Sequence, residues 1–491
     1  MPREASHTGA PGPGLALRSY SPHVTSTEPS TRATPPPWLQ RVAILNDYAR
    51  VPYANGSSFA SQMLRREFAA RGQEVTVIGP NDPHARPDQL PPRRILLPSL
   101  PLRNHPGVYM PFPSARSFRA AAAAKFDFVL SQSNHDLCDL GVWLRFKHDV
   151  PLLCVNTLHL PSVYGVVLSD RMRKNRTING LFQDRLMPWL EHHSAEVYNL
   201  GDGLIVLAEG LVDYWRERGV TVPIHVIPRA VAPHIFDAPV GDDPFPASAP
   251  AGQRLLVVCR HSREKGVERL LKLFARHVAP ACPQATLTLV GDGPDHDAFR
   301  ALAERLGLGG RAQFVGEVPV TEVPNYYRHA DLFVYTSLSE TYGQVVSEAM
   351  WCGLAAVAFA DGMGVSQQIR DGRDGWLVEP GPDADAADAE FGARVVALLR
   401  DEAALRGMSE EAARHARERA DPDRSIARYY AAFEAAREHC RSTAAERRTQ
   451  GLNTPRLISR WLAVHGAVVG LSALRPPALL NRNGGEQPAW S

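Results

Sequence analysis

The chain has 491 residues, is 44% apolar, and carries 54 basic against 52 acidic side chains, a formal net charge of +2. That length exceeds one ordinary domain, and the apolar content is enough to fill two cores. The near-balanced charge excludes the global basic field of a nucleic-acid binder, so no nucleic-acid partner is expected.

The six cysteines, Cys138, Cys154, Cys259, Cys282, Cys352 and Cys440, are scattered without a Cys-x-x-Cys pair. They read as reduced thiols of a cytoplasmic protein, with neither a zinc site nor a disulfide frame. The chain does not open on a basic stretch followed by an apolar one, which argues against secretion.

In chain order, residues 1–38 are rich in Pro, Ser, Thr and Gly. They are expected to form a disordered N-terminal extension. Residues 39–232 then alternate strand and helix signals. "RVAILND" and "EVTVIGP" read as buried strands flanking the amphipathic helix "SSFASQMLRREFAARG", which Gly72 ends. An Ala-rich helix near Ala120 and the strands "FDFVLSQ" and "PLLCVNT" continue the rhythm, implying a parallel sheet covered on both faces. The Pro-rich, acidic residues 233–253 read as an interdomain linker.

The rhythm restarts over residues 254–423, with strands at "RLLVVCR", "ATLTLVGDGP", "AQFVG", "DLFVYTS", "LAAVAFA" and "GWLV". A helix over 424–440 follows and can cross back to the first domain, and 441–491 form a tail. The tail's best apolar tract, "WLAVHGAVVGLSAL", is short for a membrane span, leaving a packed helix or a membrane-surface segment as its two readings. The fold class is therefore α/β, with two Rossmann-like domains whose parallel sheets face across an interdomain cleft. A nucleotide ligand belongs in that crevice, at the carboxyl ends of the strands.

Three stretches carry chemistry. "VVCRHSREKG" places Arg260 and Lys265 at a strand end, where a guanidinium and an ammonium are suited to a diphosphate and to the charge that grows as it leaves. Taken alone, this is also what charges on a surface loop look like. "GDGP", Gly291 to Pro294, is a tight turn at a strand end. "SETYGQVVSEAMWCG" sets Glu340 and Glu348 eight positions apart around Gly343. In one continuous helix they would lie about 12 Å apart along the axis, too far to share a proton. Gly343 instead implies a loop carrying Glu340 that feeds a helix from about Gln344 to Cys352, closed by Gly353. That helix start favours phosphate. Glu340 would then face sugar hydroxyls, and Glu348 could accept both hydroxyls of a ribose.

In this order, "RHSREKG", "LVGDGP", "FVGEV", "ADLFVYTSLSETYGQVVSEAMWCGLAAVAF" and "DGRDGWLVEPG" resemble the nucleotide-sugar half of the retaining family-four (group 1) glycosyltransferases of the GT-B fold. The likeness covers nearly all of residues 254–385, and the first half is similar more loosely. It implies a donor diphosphate on Arg260 and Lys265, with Gly291 and Gly293 in the donor-binding set. Glu340 would contact the donor sugar, Glu348 the ribose, and the backbone of Tyr342, Gly343, Gln344 and Val345 the phosphates. It also implies that His159, in "TLHLPS", lies near the reacting centre, and that Gly56 and Ser57 approach the diphosphate. Without the resemblance, His159 reads as a core histidine. The chain departs from the family at Pro228–Ala232, where Arg229 adds a positive charge near the hinge, and at Gln367 and Gln368, where a Glu is common.

The resemblance implies a metal-independent hexosyltransferase without a cofactor, using a nucleoside diphosphate sugar as donor substrate. The first domain would hold the acceptor, a lipid, lipid-linked or glycan hydroxyl. "DRMRKNRTINGLFQDRLMPWLEHH" mixes Arg171, Arg173, Lys174 and Arg176 with Leu181, Phe182, Leu186, Met187 and Trp189. It reads equally as a peripheral contact with the inner face of the cytoplasmic membrane or as a helix with one buried face. No Asp-x-Asp metal element ends a strand, and "DADAADAE" reads as a solvated acidic face. A GT-B sugar-nucleotide epimerase and a non-catalytic sugar-nucleotide-binding protein are the alternatives.

Overall fold

The computed structural model describes residues 32–47, 56–101, 109–133, 136–159, 161 and 175–473. Most of the expected N-terminal extension and the end of the tail lie outside these residues, as do Arg171, Arg173 and Lys174. The described residues from Ala33 onward belong to one compact unit.

Fifteen strands are described: β1 (Arg41–Leu45), β2 (Glu74–Pro80), β3 (Arg94–Leu97), β4 (Ser99–Pro101), β5 (Tyr109–Pro111), β6 (Phe128–Ser131), β7 (Leu152–Val155), β8 (Gly203–Val206), β9 (Ile224–Val226), β10 (Arg254–Val258), β11 (Thr286–Val290), β12 (Ala312–Gly316), β13 (Leu332–Tyr335), β14 (Ala356–Phe359) and β15 (Gly375–Val378). Seven form a first sheet in the order β3-β2-β1-β6-β7-β8-β9, and six form a second in the order β12-β11-β10-β13-β14-β15. Every pairing in both sheets is parallel, while β4 and β5 make a small antiparallel pair. The central strands are mostly apolar and almost entirely buried, as a sheet covered on both faces requires.

Each sheet reverses its order beside its first strand, between β1 and β6 and between β10 and β13. Loops diverge to opposite faces at such a point and leave a crevice at the strands' carboxyl ends. Arg260 follows β10 and Glu340 follows β13, so the second reversal brings together two segments that are 80 positions apart in sequence.

Residues 233–253 pack more tightly than a linker would. Phe236, Phe245 and Ala249 belong to the second core, and Arg254 bonds Asp243 at 2.8 Å. The large apolar side chains in this Pro-rich stretch are the reason. Ordered structure also begins before residue 39, because Trp38 bonds Glu434 at 2.7 Å and packs beside the ring of Phe128.

The helix Pro422–Ser442 follows the second domain yet packs on the first sheet. Its Phe433 stacks on Phe128 with centroids 4.1 Å apart, and Tyr430 donates to Gln73 at 2.9 Å. The tail continues as helices Ala444–Gln450 and Thr454–Ala473. Trp461 of the last helix is fully buried in the first core, with its indole N–H on the Pro111 carbonyl at 3.1 Å. Among the described residues no helix is long and apolar enough to cross a membrane.

Candidate active site

The site is built on the loops after β10, β11 and β13. The loop after β10 ends in a single turn, Arg263–Lys265, and Gly266 then starts the helix Val267–Leu273. This turn carries Lys265 toward the loop after β13, where its ammonium meets Glu340 at 2.5 Å. The same carboxylate oxygen also accepts from Ser337 at 2.7 Å and from Tyr335 at 2.8 Å. Three donors on one oxygen fix the carboxylate and leave its other oxygen for a ligand. Burial opposes the charge of both partners, and the pairing outweighs it. Lys265 is held above its ordinary pKa by Glu340 and Glu264, and Glu340 below its own by Lys265, Ser337 and Tyr335.

Arg260 is exposed at the rim and bonds Glu264 at 3.0 Å. Glu264 also accepts from Ser262 at 2.5 Å. Burial resists its ionisation, but Arg260, Ser262 and Lys265 together keep it below its usual pKa. Sequence reasoning did not single out Glu264, although its position four residues after Arg260 in the same loop was a usable signal.

Gly343 sits at φ 75°, starting the helix Gln344–Trp351, and Gly353 at φ 82° lies beyond its end, as the sequence predicts. Glu348 is half-buried one turn and more into that helix, where Tyr327 donates to it at 3.4 Å. Burial pushes its pKa up to about 8, against hydrogen bonds from Gln344 and Tyr327 and the charge of Arg229. Gly343 lies between the two glutamates, and a Cβ there would stand 3.5 Å from that of Glu340. Glu340 and Glu348 thus flank one turn, and both act on Arg229.

Gly291 and Gly293 bring the loop after β11 against the loop after β10. A Cβ at Gly291 would lie 2.0 Å from the Cys259 carbonyl oxygen, and one at Gly293 would lie 2.5 Å from that of His261. His261 N–H in turn bonds the Asp292 carbonyl at 2.9 Å. These two glycines therefore underlie the turn that bears Arg260.

The first domain reaches this cluster through the loop after β7. Thr341 donates to the Thr157 carbonyl at 3.2 Å, which sets the segment holding His159 beside the Glu340 loop. The His159 ring lies 5.5 Å from that of Tyr214. Burial and Arg218 lower its pKa, while Glu191 and, from the second domain, Asp361 act the other way. Gly56 begins the helix Gly56–Ala70, and the loop before that helix lies outside the described residues. The side chain of Ser57 likewise lies outside the described part.

Tyr342 serves the architecture as well as the loop. Its ring is packed in the first domain's core, its hydroxyl donates to the Arg229 carbonyl at 2.8 Å, and Arg419 donates to that hydroxyl at 3.1 Å. The two departures at Gln367 and Gln368 have clear partners. Gln367 accepts from the Glu209 N–H at 2.9 Å across the cleft. Gln368 is buried, donates to the carbonyls of Tyr342, Gly343 and Gly364, and accepts from Arg419 at 3.0 Å. An amide can donate to these carbonyls, and a glutamate cannot. Among the described residues no group of three or more His, Cys, Asp or Glu is placed to hold a metal ion.

Two parallel Rossmann-like sheets with polar loops gathered at the reversal of the second define a GT-B protein. Residues 54–234 match the family model described as Glycosyltransferase Family 4, and residues 245–415 match Glycosyl transferases group 1. The chain belongs to the group 1 glycosyltransferases of the GT-B fold. It is 22% identical over 332 residues to the alpha-monoglucosyldiacylglycerol synthase of Streptococcus pneumoniae, covering 65% of this chain and 70% of that protein. To the N-acetyl-alpha-D-glucosaminyl L-malate synthase of Bacillus anthracis it is 29% identical over 175 residues, 36% of this chain and only 43% of that protein. Two solved structures share the fold, each with 81% of this chain covered and 100% of the other. Sucrose-phosphate synthase from Thermosynechococcus elongatus has a TM-score of 0.63 at 23% identity. Anabaena Alr3699/HepE in complex with UDP and glucose has a TM-score of 0.59 at 17% identity.

Proposed function

We propose that the protein transfers a hexose from a nucleoside diphosphate sugar to a hydroxyl of a lipid, lipid-linked or glycan acceptor, with retention at the anomeric carbon and without a metal. The observation that carries this reading is the Lys265–Glu340 pair, 2.5 Å apart beside Arg260 at the reversal of the second sheet. Arg260 and Lys265 hold the diphosphate, the first turn of the helix at Gln344 adds its N–H groups, Glu340 orients the sugar, and Glu348 takes the ribose hydroxyls. The bond from the anomeric carbon to the phosphate oxygen breaks as the acceptor oxygen bonds to the same face. The acceptor proton passes to the departing phosphate, and the cations stabilise the charge that develops there. His159 lines the acceptor side.

A lipid acceptor at the inner membrane face is supported by the segment 176–199. Ile178, Leu181 and Trp189 are exposed there beside Arg176 and Arg185, while Phe182 and Met187 are buried. A face that is apolar and cationic together suits an anionic lipid surface. The name of the Streptococcus relative, a diacylglycerol sugar transferase, points the same way.

The test is mass spectrometry of products formed from a panel of nucleotide sugars with membrane extract and, separately, with soluble glycans. Lys265→Ala and Arg260→Ala are expected to reduce turnover by about 10²-fold or more, with the thermal transition retained. A variant working at near-normal rate would refute the assignment.

A further inference from the structure

Both cations assigned to the diphosphate already have carboxylate partners, Lys265 on Glu340 at 2.5 Å and Arg260 on Glu264 at 3.0 Å. Glu348 adds a third carboxyl, pushed up to about 8 by burial. Below that pH the two cations and their two carboxylates balance, so the cluster offers an incoming polyanion no net positive charge, and ionisation of Glu348 makes it net negative.

Arg229 changes that balance. Its backbone is fastened to the loop of the paired glutamates, since its carbonyl accepts from Tyr342 at 2.8 Å and that of Ala230 accepts from Gln344 at 3.4 Å. The guanidinium is half-buried and within electrostatic reach of Glu340, Glu348, Tyr342 and Tyr429. Yet among the described residues no hydrogen bond or ion pair is made by that guanidinium. Arg419 close by is different, because it is tied to Tyr342, Ser347 and Gln368. A guanidinium offers five N–H donors in a planar fork whose geometry matches the oxygens of a phosphate or a carboxylate.

We infer that Arg229 is a third anion-binding residue of the donor pocket, taking an anionic oxygen of the nucleotide sugar. That oxygen belongs either to the diphosphate or to an acid group on the transferred sugar. The inference rests on the nucleotide-sugar reading above. Substituting Arg229 by a residue without charge removes the planar fork and the one positive charge that, among the described residues, no carboxylate of the cluster is bonded to.

Calorimetry tests it on the full chain. UDP, GDP and ADP are titrated into the wild type, and the one that binds is then compared with its nucleoside and with its hexose and hexuronate conjugates. Arg229→Gln is expected to weaken the nucleoside diphosphate by about tenfold or more and to leave the nucleoside unchanged. Arg229→Lys, which keeps the charge without the fork, should fall between the two. A loss confined to the hexuronate conjugate would place the anion on the sugar. Binding by Arg229→Gln that matches wild type for every ligand, while Lys265→Ala loses the diphosphate, overturns the inference and leaves the donor-site reading intact. An equal loss for nucleoside and diphosphate also overturns it, because the role is then structural. A wild type that binds no nucleoside diphosphate sinks the donor-site reading itself.

Discussion

At the scale of single residues, Glu340 and Glu348 share a helix start but are in opposite electrostatic situations. Glu340 sits on an ammonium and stays ionised, while burial pushes Glu348 up to about 8. A ribose hydroxyl donates best to a carboxylate, so nucleotide affinity should rise with pH toward and through about 8, and Glu348→Gln should flatten that rise. Calorimetric titrations at a series of pH values measure both. Stability has the opposite sign. The folded protein keeps the Glu348 proton above 4.5, where the unfolded chain loses it, so this group's contribution falls as pH rises from about 4.5 to 8 and is level beyond. Denaturation of the wild type and of Glu348→Gln across that window should differ in slope in that direction.

At the scale of elements, the paired-glutamate helix was legible because Gly343 and Gly353 mark its two ends in the sequence. The loop after β11 was legible only as a turn. Its reason is a close approach that no local pattern encodes, since Gly291 stands at φ 129° with its missing Cβ 2.0 Å from a carbonyl oxygen of the neighbouring loop. Gly291→Ala should destabilise the protein by about 2 kcal/mol or more through strained backbone and overpacking. Because this loop underlies the turn bearing Arg260, nucleotide affinity should fall as well. Thermal unfolding and calorimetry on the same variant read the two effects. If both are unchanged, the proposed support of Arg260 by this loop is wrong.

At the scale of the molecule, the chain leaves the first domain, builds the second, and returns. The returning helix is pinned by Asp202, fully buried, which accepts from Arg145 at 2.6 Å and meets His439 at 3.0 Å. Burial raises the pKa of this carboxyl, but His439 and Arg145 outweigh that and hold it below its usual value. The last helix then buries Trp461 in the first core. Trp461→Ala should destabilise by about 3–5 kcal/mol, the range for removing a large buried aromatic side chain. Chemical denaturation measures the loss, and a change under about 1 kcal/mol would show that the tail adds nothing to the first domain's core. In sequence this tract allowed two placements, because an apolar helix of that length carries no mark of what covers it.

The sequence by itself determined the two parallel sheets, the glycine-bounded helix between the glutamates, and the resemblance that gathers Arg260, Lys265, Glu340 and Glu348 into one set. Strand alternation and turn chemistry are local, so they can be read along the chain. Only the tertiary structure decided that Glu264 pairs with Arg260, that Gln368 ties three carbonyls behind Gly343, and that Arg229 lies within electrostatic reach of both glutamates. Those contacts join residues brought together by strand order and domain return, and their energies depend on burial, which no linear spacing states.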